Sequence, residues 1–246
     1  MAKRFSAFLA TSGPVPGRSR TLSEDDIRSL AGSLTPGEPL TWNHDDRTHV
    51  DARIVAADLR RTPDDELGLW VEVEVDDQVF EALPDRFGFS VGFGREDFPL
   101  DPESDLPTIQ LAVDSENFSE DDLVGALTAL QANFNVSAGW FDQYSELPPP
   151  VVIIGLGLMF VQTIAPEVLK SVLVEAIKDR LFHPRSGRPT LFHVHLKSTD
   201  REIRAHIETS DPDVFREAAG LLRDLVGREG EAFDFLPGEN DWKRIR

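Results

Sequence analysis

Leu69-Trp70-Val71-Glu72-Val73-Glu74-Val75 is a stretch in which aliphatic residues occupy every second position. Successive side chains of a β-strand point to opposite faces of its sheet, so these four aliphatic residues share one face. Trp70, Glu72 and Glu74 share the other, which is explained most simply as a solvated face. The stretch therefore predicts a strand with one buried side.

Turn and cap signals on either side of this strand predict the rest of a β-rich first part. A polar turn at residues 61–66 precedes it, and Ser23 is a good N-cap with acidic residues in the following turn, where the helix dipole favours them. The predicted elements are strands at 5–11, 39–42, 53–59, 69–75 and 87–93 and a helix at 24–34.

Two breaks in the pattern, near residue 100 and at Pro148-Pro149-Pro150, predict the domain organisation. We expect a β-rich domain over residues 1–147, with its core at 1–115, a strand at 108–113 and a helix at 119–132. A second domain over 148–246 is expected to be a small α+β sandwich. Its order β-β-α-β follows from strands at 190–197, 202–208 and 232–236 and a helix between Asp211-Pro212 and Gly227.

Composition limits the function classes. The 246 residues are 40% hydrophobic, which is enough for real cores. The absence of cysteine excludes a disulfide scaffold, thiolate zinc sites and a cysteine nucleophile, and it fits a reducing, cytoplasmic location. The net charge of −19 argues against nucleic-acid binding, because phosphates are neutralised by clustered Lys and Arg.

Two apolar runs are too short for export or for a membrane span. Residues 5–10 follow Lys3 and Arg4 but are shorter than the core of an export signal, and they predict a first strand. The run at 151–165 holds about 15 residues, below the roughly 20 that cross a bilayer. We interpret it as a buried segment, with membrane contact as the less favoured alternative.

Two further motifs are given little weight. Gly155 and Gly157 follow an apolar strand as in a dinucleotide-binding turn, but Phe160 stands at the third glycine position. His193, His195 and His206 lie on two neighbouring predicted strands, and three imidazoles can hold zinc. No carboxylate or cysteine accompanies them at a characteristic spacing, so ordinary strand histidines are favoured. We therefore expect neither a cofactor nor a metal.

A histidine and a serine in two short motifs point to hydrolytic chemistry. His44 lies in Trp42-Asn43-His44-Asp45, and Ser90 lies in the glycine-rich run Phe87-Gly88-Phe89-Ser90-Val91-Gly92-Phe93. A serine is a poor nucleophile until a base accepts its proton, and histidine suits that role near neutral pH. The β-unit between the two motifs is expected to bring them together.

Three motifs together resemble the caudovirus prohead serine protease family, the capsid-maturation proteases related in fold to herpesvirus assemblin. They are Asn43-His44-Asp45, Asp65-Glu66-Leu67-Gly68-Leu69 and Gly88-Phe89-Ser90-Val91-Gly92-Phe93. The resemblance covers about the first 115 residues. It implies an antiparallel, β-barrel-like first domain, Ser90 as nucleophile and His44 as general base.

The acidic group that orients the catalytic imidazole in this family has no direct match in the sequence. The family strand that carries a glutamate corresponds to residues 108–113, where no carboxylate occurs. Asp114 is the nearest substitute, and Asp45 and His49 are alternatives.

The resemblance therefore predicts a serine endopeptidase that cleaves shell or scaffold proteins, or its own chain, in the cytoplasm or inside a viral or virus-like particle. The alternative is a catalytically inactive protease-like scaffold that acts as a protein-interaction module. Self-association is compatible with either, and the basic tail at 242–246 is compatible with docking on the chain itself or on a partner.

Overall fold

The structure is a computed structural model that describes residues 2–13, 21–34, 39–42, 45–76, 90–94, 100–143 and 149–245. Within these residues the fold is α+β, as the sequence predicts, with twelve strands in two sheets and five helices. None of the helices described is both long and apolar enough to cross a membrane.

Strands outnumber helices among the described elements. The helices are α1 (Glu24–Ser33), α2 (Glu120–Leu130), α3 (Leu158–Thr163), α4 (Pro166–Ile177) and α5 (Pro212–Leu225). The strands are β1 (Ala2–Thr11), β2 (Pro39–Trp42), β3 (Asp45–Arg61), β4 (Leu67–Asp76), β5 (Ser90–Gly94), β6 (Thr108–Asp114), β7 (Asn135–Gln143), β8 (Val151–Gly157), β9 (Thr190–Lys197), β10 (Glu202–Thr209), β11 (Ala232–Leu236) and β12 (Asp241–Arg244).

The chain forms two compact units. The first comprises Met1–Val91 and Gln143–Pro148, and the second comprises Gly92–Asp142 and Pro149–Arg246. This division differs from the expected domains 1–147 and 148–246, because β6 is paired on one side with β7 and on the other with β8. A boundary at Pro148 would separate β8 from β6.

The first unit contains a four-stranded antiparallel sheet in the order β1-β4-β3-β2. The alternating stretch at residues 69–75 lies within its strand β4, and Leu69, Val71, Val73 and Val75 are all buried, as predicted. The polar turn before β4 is also confirmed: Asp65 adopts a positive φ of 61° there, and the Thr62 N–H donates to the Glu66 carbonyl.

Helix α1 begins with a reciprocal capping box. The Ser23 hydroxyl accepts from the Asp26 N–H, and the Asp26 carboxylate accepts from the Ser23 N–H. Leu22 and Ile27 flank this cap and are both buried. This is the arrangement of a hydrophobic staple, which fixes the direction in which the chain enters the helix.

The second unit contains most of an eight-stranded mixed sheet in the order β12-β11-β10-β9-β8-β6-β7-β5, in which β5 begins with Ser90 and Val91 of the first unit. One face of it carries the main core, in which alternate residues of the strands pack with α2, α4 and α5. Phe182, Phe192 and Phe215 form a contiguous aromatic cluster in that core, with ring centres 4.6–5.7 Å apart. The predicted β-β-α-β order is present as β9, β10, α5 and β11.

Some elements differ from the sequence prediction. The apolar run at 151–165 is divided into β8 and the short helix α3, and β3 is much longer than the predicted strand at 53–59. Strand β7 was not predicted. The basic tail contributes β12, which pairs with β11, so most of it is part of the chain's own sheet.

Candidate functional site

The proposed catalytic pair is located only in part. Asn43 and His44 lie outside the described residues, but the residues on either side, Trp42 and Asp45, are partners at the end of the β2–β3 ladder. Ser90 is the first residue of β5, which stands at one end of the strand order of the large sheet. The backbone thus places the flanks of the histidine motif and the serine at the ends of strands.

Asp114, the predicted third member, is the last residue of β6 and is fully buried. Its Oδ1 accepts from the backbone N–H groups of Glu116, at 2.9 Å, and Asn117, at 3.2 Å. Its Oδ2 accepts from Asn117 Nδ2 at 2.8 Å and from the Val151 N–H at 3.3 Å. A carboxylate offers about four acceptor sites, and four donors occupy them here.

This geometry gives Asp114 a structural role. It organises the turn after β6 and ties that turn to the start of β8. Burial raises the pKa of the Asp114 carboxyl, and the hydrogen bonds from Asn117, Glu116 and Val151 oppose that rise without cancelling it. A carboxylate whose acceptor sites are filled has no site left for an imidazole N–H.

A row of polar side chains crosses the face of the large sheet that lies opposite the main core. His193 on β9 is the cross-strand partner of His206 on β10, and His206 is in turn the partner of Asp234 on β11. His206 Nδ1 lies 3.3 Å from Asp234 Oδ1, and the ring centres of His193 and His206 are 4.8 Å apart. Both histidines are buried, with 3% or less of their surface exposed.

A second carboxylate–imidazole contact lies beside this row. His195 Nδ1 is 3.0 Å from Glu202 Oε1, and the His195 ring centre is 6.4 Å from that of His193. Burial acts to raise the pKa of Glu202, but the positive charges of Arg204, His195 and Lys197 outweigh it, and the pKa of that carboxyl is lowered. The Glu202 carboxylate therefore remains charged near neutral pH, next to an imidazole.

Both ring nitrogens of His206 and the Asp234 Oδ1 atom are buried and have no hydrogen-bond partner among the described residues, so the 3.3 Å approach of Nδ1 to Oδ1 is not a hydrogen bond. Leaving such a polar atom unsatisfied costs about 1–3 kcal/mol. Within the described part of the chain, no three His, Asp or Glu side chains already stand close enough to one point to hold a metal ion.

The glycine motif of β8 serves packing. Gly155 is paired with His195 on one side and with Gln110 on the other. A Cβ at Gly155 would lie 3.1 Å from Gln110 Oε1 and 3.2 Å from Gln110 Cβ, so the glycine leaves room for the Gln110 side chain. Gly157 caps α3, which has only six residues.

The sequence indicates His193, His195 and His206, but it does not reveal the carboxylates of Glu202 and Asp234 that lie beside two of them. Glu202 precedes His206 by four residues along the chain, and Asp234 lies on a strand that pairs with β10 only after helix α5 intervenes. The chain matches no protein-family model, no curated protein and no solved structure.

Proposed function

We propose that the protein is a serine endopeptidase of the prohead-protease kind, with Ser90 as the nucleophile and His44 as the general base. The observation that carries the proposal is the order and spacing of the three motifs around His44, Leu67-Gly68-Leu69 and Ser90. In this proposal the first part of the chain forms the barrel-like domain that is typical of those proteases.

The strands that carry the three motifs belong to two different sheets, since β2, β3 and β4 lie in the four-stranded sheet and β5 lies in the eight-stranded sheet. Residues Trp42 and Asp45 flank His44 at the end of a β-ladder, the Asp65–Glu66 turn leads directly into β4, and Ser90 opens β5.

In the proposed reaction His44 takes the hydroxyl proton of Ser90 while the serine oxygen attacks a peptide carbonyl. His44 then donates this proton to the leaving amine, which leaves an acyl-enzyme on Ser90. Water enters and His44 removes one of its protons. The water oxygen displaces Ser90 from the acyl group, and the serine regains its proton.

The third group is best sought on β3. Asp45 and His49 belong to the strand that begins directly after His44, whereas the Asp114 oxygens are already saturated by four donors. We therefore propose Asp45 or His49 as the group that orients His44. Asp45→Asn and His49→Gln are expected to lower the rate of reaction at Ser90. Asp114→Asn is expected to lower the free energy of unfolding instead.

Labelling by a fluorophosphonate probe tests the enzyme proposal, because such probes react with activated serines. The wild-type chain is expected to be labelled and Ser90→Ala is not. Ser186→Ala is the matched control, since Ser186 is exposed in a loop of the second unit. Labelling that persists in Ser90→Ala would refute the assignment of the nucleophile.

The second candidate is an inactive protease-like scaffold that binds a protein partner. It is favoured by the hydrogen bonds of Asp114, which remove the nearest substitute for the family's acidic group from catalysis. Complete lack of probe labelling in a folded wild-type chain would support this candidate over the peptidase.

A further inference from the structure

We propose that the α3–α4 corner, residues 158–172, is a contact surface through which two copies of this chain associate. The corner belongs to the second unit and includes the whole of α3 and the first half of α4. Its exposed apolar side chains and its lack of net charge support the proposal. The surface is separate from the proposed peptidase and does not depend on it.

Apolar side chains are exposed at this corner. Met159 on α3 has a relative exposure of 67% and Val168 on α4 has one of 49%, the two highest values among the large apolar residues that the structure describes. Phe160, Ile164 and Val172 lie near them in the sequence, and each is only partly buried against the main core. The corner therefore presents an apolar surface that extends outwards from the core.

The backbone of the corner is held in place. The Ile164 N–H donates to the Phe160 carbonyl at 2.9 Å, and the Thr163 hydroxyl donates to the Met159 carbonyl at 3.0 Å. The Phe160 ring packs edge-to-face on Phe134, with ring centres 5.4 Å apart. Met159 is thus exposed on an ordered helix, and a partner would meet a preformed surface, which lowers the entropic cost of association.

The corner carries no net charge. Charged residues make up 28% of the chain, but residues 147–166 contain none. The first charged residues of α4, Glu167 and Lys170, are paired with each other at 3.1 Å and neutralise one another. An uncharged apolar surface of this kind is not complementary to a strongly charged partner.

The charge of the rest of the chain favours a second copy as the partner. Two copies with a net charge of −19 repel each other wherever their acidic surfaces meet. At physiological salt, charges more than about 8 Å from a contact are largely screened, so repulsion is smallest where the contact itself is uncharged. A two-fold contact places the same surface on both subunits, and an uncharged apolar surface is complementary to itself.

The small size of the corner predicts a weak dimer. Contacts that bury less than about 1,200 Å² in total are typical of transient complexes. We therefore expect an equilibrium between monomer and dimer that depends on concentration, with a dissociation constant in roughly the micromolar range.

Sedimentation velocity over a range of concentrations tests the proposal with the full chain. The wild type is expected to shift from monomer towards dimer as its concentration rises, and Met159→Lys should raise the dissociation constant by about tenfold or more. Leu106→Lys is the matched control, because Leu106 is an exposed leucine of the same unit and its replacement changes the net charge equally. This control should dimerise like the wild type.

Oxidation gives a second test that introduces no charge. Met159 is the only methionine of the chain apart from Met1. Hydrogen peroxide transfers one oxygen atom to its thioether sulfur, which releases water and leaves a polar sulfoxide. The oxidised wild type is expected to dimerise more weakly, whereas Met159→Leu should dimerise and should be unaffected by peroxide.

Three results would overturn the proposal, once circular dichroism has verified the fold of each variant. They are a wild type that stays monomeric up to about 1 mM, a Met159→Lys variant that dimerises as tightly as the wild type, and equal weakening in Leu106→Lys. Co-sedimentation of a monomeric chain with neutral phosphatidylcholine vesicles would also overturn it, because that result would assign the corner to a membrane surface.

Discussion

At the scale of single residues, Asp114 shows how a chemically suggestive carboxylate can be structural. It is the acidic residue nearest to the strand at 108–113, and the sequence therefore favours it as the group that orients His44. The sequence could not reveal that the Val151 N–H, 37 positions away, would donate to it. A side chain's role depends on which backbone groups tertiary folding brings to it, and that information is not local.

Asp114→Asn is expected to reduce the free energy of unfolding by about 1–3 kcal/mol, because the amide replaces an acceptor with a donor that faces other N–H donors. Asp105→Asn, which alters an exposed carboxylate in a loop, is the matched control and should change little. Urea unfolding at neutral pH measures both. Equal stability of the two variants would contradict the structural role.

The raised pKa of Asp114 adds a pH dependence with a definite sign. The native state holds this proton more tightly than the unfolded chain, so the associated stability is present below the unfolded pKa of about 3.9 and is lost as pH rises through the higher native pKa. The cost of Asp114→Asn should therefore be larger near pH 4 than at pH 7. Urea titrations at both values measure it, and a smaller cost at pH 4 would contradict the shift.

At the scale of elements, the sequence was most informative where the signal is local. The alternation in β4 and the capping serine of α1 each lie within a few residues, and both elements occur as predicted. Strand β7 is not predicted by the sequence because Ser137 and Gly139 interrupt its apolar pattern. The strand is held by parallel pairing with β6, which a local pattern does not show. The four-residue strand β12 likewise exists only through its pairing with β11.

Arg201 illustrates the support that elements receive from distant side chains. Its guanidinium donates to the carbonyl oxygens of Val226, Arg228 and Gly230, which lie at the end of α5 and in the connection to β11. The last carbonyls of a helix have no partner within the helix, so Arg201 satisfies groups that would otherwise depend on water.

Arg201→Ala should therefore destabilise the protein by about 2–3 kcal/mol, measured by chemical denaturation. Arg223→Ala removes the same side chain from an exposed position in the last turn of α5 and should cost about 0.5 kcal/mol or less. Similar losses in the two variants would show that charge near the helix end, not the three hydrogen bonds, accounts for the effect.

At the scale of the whole molecule, the sequence predicted the α+β class and most strands of the second unit, but it could not show which strands join one sheet. The Pro148-Pro149-Pro150 break looked like a boundary because proline runs often separate domains. The pairing of β8 with both β6 and β9 shows that the sheet continues across this break. Pairing between strands remote in sequence depends on complementarity that no single segment carries.

Two fragments distinguish the observed division of the chain, in which β6 and β8 belong to one unit, from a domain boundary at Pro148. A fragment of residues 92–246 contains β6 to β12 and the core helices and is expected to unfold cooperatively on heating. A fragment of residues 149–246 lacks β6, β7 and α2, so one edge of β8 and part of the core are exposed, and it should not. Cooperative unfolding of the shorter fragment would favour a boundary at Pro148.

The peptidase proposal is tested most directly by intact-mass spectrometry after reaction of the full chain with a fluorophosphonate. We expect a single adduct per chain, located by peptide mapping on the peptide that contains Ser90, and strongly reduced in His44→Gln but not in His183→Gln. An adduct located elsewhere, or one that forms at the same rate without His44, would contradict it.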